Sequence, residues 1–102
     1  MRNDTMRIYL SHHELLLLIA IVRAVKQGAT RQHNKAEARL ANSLLRALLN
    51  FDIDYCGTAV ILDCMTRYAL WNYVEQYIGF CVETRQHSEY ATAVMIATKL
   101  SG

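Results

Sequence analysis

Eight consecutive apolar residues, Leu15 to Val22, follow directly on Ser11-His12-His13-Glu14. No other feature constrains the fold as tightly. The Ser11 hydroxyl can accept from the amide of Glu14, and the Glu14 carboxylate can reach back to the amide of Ser11, which closes both ends of a capping box. The run behind it is apolar all round, so the helix it starts must be enclosed on several sides. Eight residues fall far short of the ~20 that span a bilayer. Asp4 and Glu14 ahead of the run, with Arg23 and Lys26 behind it, read as a buried helix rather than a signal peptide. The helix is expected over 12–27, with Gly28 as a left-handed stop.

Ahead of it, Met6, Ile8 and Leu10 alternate with Arg7 and Tyr9, the period of two expected of a strand or extended arm. An isolated strand leaves backbone groups unpaired, so this arm over 1–10 calls for a partner, such as the same strand in a second subunit. Further on, Leu40, Ala41, Leu44, Leu45, Leu48 and Leu49 recur at spacings of three and four and line one helical face. That helix begins near Thr30, or near Asn34 with Glu37 three residues on, and ends near Asn50. Asp52 to Gly57 reads as a loop. Thr58 is placed to cap a third helix running to about Val82, with a short strand over Ala59 to Leu62 as the alternative. Ser88 can cap a last helix over 89–100. The sum is an all-α fold: one domain, a compact three- or four-helix bundle with a short extended N-terminal arm.

Composition narrows function by exclusion. Hydrophobic residues make up 53% of the 102, charged residues 20%, and proline is absent, which excludes a disordered or low-complexity chain. The apolar share exceeds what one small core needs, and the surplus points to burial against copies of the chain or a partner. Three cysteines, Cys56, Cys64 and Cys81, cannot all pair within one chain, so they are expected as free thiols in a reducing cytoplasm, with no membrane partner.

Candidate chemistry is sparse. Asp52, Asp54, Gly57 and Asp63 fall at positions one, three, six and twelve of a calcium loop, but Cys56 supplies no oxygen at position five. Two acids capping a turn and a helix start account for them better. The cysteines and His12, His13, His33 and His87 lack zinc-ligand spacing, and the four glycines stand apart, so no phosphate loop is present. No catalytic residue, metal or cofactor is assigned, and the expectation is a protein that is not an enzyme.

Charge is unevenly placed. Residues 1–49 hold eight basic and three acidic residues, net +5, and residues 50–102 hold three basic and six acidic, net −3. On a continuous second helix, Arg31, Lys35 and Arg39 form a stripe at spacing four, with Arg46 one register further round. Besides a plain solvated face, two readings compete. Arg23, Lys26, Arg31, Lys35 and Arg39 hold an anion, a nucleotide or nucleic acid, with tyrosines stacking on its bases. Otherwise they face the acidic half of another subunit or a protein partner. Tyr73, Tyr77 and Phe80 share one face of the third helix, with Trp71 nearby, as core or as an interface. The leading expectation is a small helical protein that self-associates as a homo-oligomer and binds a protein partner, as a phage-type accessory or inhibitor does. An anion receptor is the alternative.

Overall fold

In the computed structural model, which describes residues 5–101, the extended arm has its partner within its own chain. Strand β1 (Thr5–Leu10) pairs antiparallel with β3 (Gly57–Asp63), which pairs on its other edge with β2 (Asp52–Asp54), giving the order β1-β3-β2. Helices α1 (His12–Arg31) and α2 (Lys35–Leu49) lie between β1 and β2 in sequence, and α3 (Cys64–Thr84) and α4 (His87–Ser101) follow β3. The expected all-α bundle is therefore corrected to an α+β fold of four helices and a three-stranded antiparallel sheet. Residues 1–4 of the expected arm, with Arg2 and Asp4 of the charge count, lie outside the described residues.

The period of two over residues 6–10 holds. Ile8 and Leu10 face the core opposite Val60 and Thr58, while Arg7 and Tyr9 face outward opposite Ile61 and Ala59. The helix expected from Thr58 does not form there; strand β3 takes in the short strand read over Ala59 to Leu62 as the alternative. Thr58, Val60 and Ile61 are β-branched, crowd a helical turn and suit a pleated strand. Tyr55-Cys56 forms a two-residue hairpin turn rather than an open loop. Asp54 Oδ1 accepts from the Cys56 amide at 2.8 Å, and Gly57 takes φ +120°, which side chains rarely adopt. Asp63, not Thr58, caps α3, accepting from the Thr66 amide at 2.7 Å. That bond holds its carboxyl below its ordinary value. The acids at calcium-loop spacing are thus an exposed edge-strand position, a turn and a cap.

The capping box of α1 forms as read, with Glu14 N to Ser11 Oγ at 3.1 Å and Ser11 N to Glu14 Oε1 at 2.7 Å. Gly28 does not stop the helix, which continues to Arg31. The left-handed residue is His33, at φ 55°, and Asn34 then caps α2. A break at 32–34 leaves Arg31 on α1, so the expected continuous stripe of Arg31, Lys35 and Arg39 is divided between two helices.

One core joins all layers. Leu18 and Val22 of α1, Leu44 and Leu48 of α2, Val60 and Leu62 of β3, Leu70 and Val74 of α3, and Ile96 and Leu100 of α4 are almost wholly buried. Helix α1 packs against α2, α3 and α4, which explains why Leu15 to Val22 is apolar on so many sides. Glu14 is the one buried charged residue among those described, and Lys99 Nζ of α4 donates to its Oε1 at 2.6 Å.

Helix α3 ends on Arg85, held left-handed at φ 59° while its amide bonds the carbonyl of Cys81. An L side chain in that region costs roughly 1–2 kcal/mol, and glycine avoids the cost. Arg85→Gly is expected to raise the unfolding free energy by about 1 kcal/mol, seen as a higher urea midpoint with unchanged slope. A lower midpoint would mean that the Arg85 side chain contributes more than its backbone strain removes.

Candidate functional site

The residues singled out for anion binding come from two helices. On α1, Arg23, Lys26, Gln27, Thr30 and Arg31 line a cleft of about 470 Å³ whose apolar wall is Leu45 of α2. On α2, Lys35, Arg39, Asn42 and Arg46 recur at spacings of four, three and four and form one stripe, turned from the buried Ala41, Leu44, Leu45 and Leu48. Lys26 Nζ donates to Asn42 Oδ1 at 3.1 Å, so the two basic faces adjoin. Ion pairs among the described residues join Arg7 to Asp52 and Asp54, and Lys99 to Glu14. None involves the six cations of α1 and α2. Arg46 belongs to this face as fully as Arg39 does. Helical spacing showed that relation, but not the contact between the two helices.

The aromatic residues are elsewhere. Tyr73 is buried, and its hydroxyl donates to Glu37 Oε1 of α2 at 2.9 Å. Burial first, and that bond second, push its phenol up to about 12. Tyr77 is half-buried beside Phe80, with ring centroids 6.1 Å apart, and Phe80 is exposed. Trp71 is half-buried and stacks on exposed Tyr68 at 6.0 Å. None of these rings lines the basic cleft, so tyrosines are not placed to stack on the bases of a ligand held there.

A second groove, of about 510 Å³, opens between α2 and α3. Leu44, Ala69 and Tyr73 form its deeper wall, and Leu40, Met65 and Tyr68 stand exposed along it. Met65 is 83% exposed and Tyr68 67%, values that mark them as projecting side chains. The one charged group in the lining, Glu37, is held by Tyr73. Sequence reasoning placed Leu40 on the apolar face of the second helix and did not single out Met65 or Tyr68 as projecting side chains. They sit on apolar-rich helices whose solvent side is set only by packing.

Comparison of the chain with protein-family models, with curated proteins and with solved structures finds no match.

The densest polar cluster lies on the outer face of the sheet. Arg7 Nη2 donates to Asp54 Oδ2 at 2.7 Å, Tyr9 Oη donates to the same oxygen at 2.8 Å, and Arg7 Nη1 reaches Asp52 Oδ2 at 3.3 Å. The bonds from Tyr9 and then Arg7 hold the Asp54 carboxyl below its ordinary value. Asp54 first of all raises the Tyr9 phenol, and it likewise raises Arg7. Each group is driven deeper into its usual state at neutral pH. A general acid or base needs its pKa moved toward the working pH. This cluster instead ties β1 to β2 across β3, above the buried Ala59. No helix among the described residues is long and apolar enough to cross a membrane.

Proposed function

We propose that the protein is a non-enzymatic binding protein that self-associates and acts on a protein partner, in the manner of a small phage-type accessory or inhibitor. Exposed apolar surface carries this reading. A monomer of 11.7 kDa is expected to expose ~5,900 Å². This chain exposes 6999 Å². The excess of about 1,100 Å² reflects an open shape, and the large apolar side chains left exposed, Leu40, Met65 and Tyr68 among them, are what suit part of that surface to burial against a partner. The shape agrees, with extents of 37 × 32 × 20 Å, a slab with wide faces. The α2–α3 groove adds exposed apolar side chains to that surface, with Leu40, Met65 and Tyr68 standing along it. Met65 and Tyr68, which line this groove and project from it, are the side chains that a second copy related by a two-fold axis would bury. Three free thiols, Cys56, Cys64 and Cys81, fit a cytoplasmic setting.

Native mass spectrometry at micromolar concentration is expected to show a dimer or larger closed assembly. Met65→Glu, a change at an exposed position that leaves the core intact, is expected to weaken assembly at least tenfold, because a charge buried at an apolar interface is poorly solvated. A wild-type protein that stays a single 11.7 kDa species under those conditions would overturn the reading.

A further inference from the structure

We propose that the α1–α2 face binds duplex nucleic acid by its phosphate backbone, without reading base sequence. This goes beyond the partner-binding role and uses the side of α2 away from the α2–α3 groove. Six cations, Arg23, Lys26, Arg31, Lys35, Arg39 and Arg46, adjoin there, and no carboxylate pairs with them among the described residues. Such a face is stable when solvated, but its like charges repel, and a polyanion relieves that repulsion while releasing its own counterions.

Span decides between a nucleotide and a strand. Arg23 and Arg31 are eight residues apart, about 12 Å along α1 at 1.5 Å per residue. Lys35 and Arg46 are eleven apart, about 16 Å along α2. A duplex strand carries one phosphate per ~3.4 Å of axis, so these lengths match about four to five successive phosphates. A mononucleotide concentrates its charge at one end and needs a surface for its base. The cleft offers none: beside its cations it has Gln27, Thr30 and Leu45, and no aromatic ring. The same lack argues against single strands, which are held largely by stacking on aromatic side chains. Gln27 supplies a neutral donor of the kind that commonly meets phosphate oxygens, while the Thr30 hydroxyl donates to the Lys26 carbonyl at 2.9 Å.

The test is fluorescence anisotropy of labelled 20-base-pair DNA and RNA duplexes with the full chain. Binding is expected at 50 mM salt. It is expected to weaken roughly 100-fold by 200 mM, the slope for about four neutralised phosphates. Arg23→Glu and Arg31→Glu, both at exposed positions, should each weaken it about tenfold and flatten the salt slope. Arg67→Glu makes the same charge change beside Met6 at the start of α3 and should shift affinity less than twofold. Stronger binding of the DNA or the RNA arm identifies which duplex is held, and either supports the proposal. Failure to bind both duplexes at 50 mM salt would overturn it. So would an equal loss in Arg67→Glu, or polyglutamate competing as well as duplex, which would make the ligand an acidic protein.

Discussion

Leu18→Ala is expected to lower the unfolding free energy by about 3–5 kcal/mol, whereas Leu16→Ala, two residues earlier, should change it by no more than about 0.5 kcal/mol. Leu18 is fully buried where α1 meets the other layers, while Leu16 is 53% exposed. Truncating Leu18 removes its transfer free energy and leaves a cavity that rigid neighbours only partly fill. A domain of this size has roughly 5–15 kcal/mol in all, so the melting temperature should drop by about 20 °C. Urea unfolding of both variants measures the contrast. Equal losses at the two sites would mean that α1 does not present the face described.

Glu14 carries the second large effect. Glu14→Ala removes the reciprocal bond of the capping box and the partner of Lys99, and is expected to cost about 2 kcal/mol. Glu14→Gln keeps the shape and isolates the charge. Burial works against the carboxylate, yet the bonds from Lys99 and the Ser11 amide outweigh it and hold the carboxyl below its ordinary 4.5. A depressed pKa stabilises the fold fully above that ordinary value, and the contribution disappears as pH falls through the lower, folded-state value. The melting temperature of the wild type should therefore fall more steeply below about pH 4.5 than that of Glu14→Gln. Asp54 and Asp63 are also held low, so Glu14→Gln should remove part of the acid dependence and leave the rest. Parallel curves for the two proteins would show that the Glu14–Lys99 pair adds nothing in water.

These two sites also show what was legible before folding. The capping box at Ser11 and Glu14 needs only residues within one helical turn, so adjacency in the chain discloses it. The distant half of the same site, Lys99, is 85 residues away and has no local signature. The sheet separates in the same manner. Alternation over Met6 to Leu10 betrays an extended strand. Its partner is ambiguous in sequence, a helix start from Thr58 or a short strand over Ala59 to Leu62, since Thr58 is a competent cap and the apolar run fits either period over so short a length. Pairing with β1 settled the choice, because a strand beside an open strand satisfies backbone groups that a helix there would leave bare.

The proposed functional faces divide along the same line. Sequence alone determined that the first half is basic, that α1 must be enclosed, and that the chain carries more apolar residues than one small core uses, because these depend on residue type and spacing. Tertiary structure alone decided that Arg31 belongs with Arg23 rather than Lys35, and that the two basic faces meet at Lys26 and Asn42. It also decided that Tyr73 is core while Met65 and Tyr68 project. Periodicity ranks the faces of one helix, but which face meets water depends on the other helices and strands, and those are brought together only when the whole chain folds.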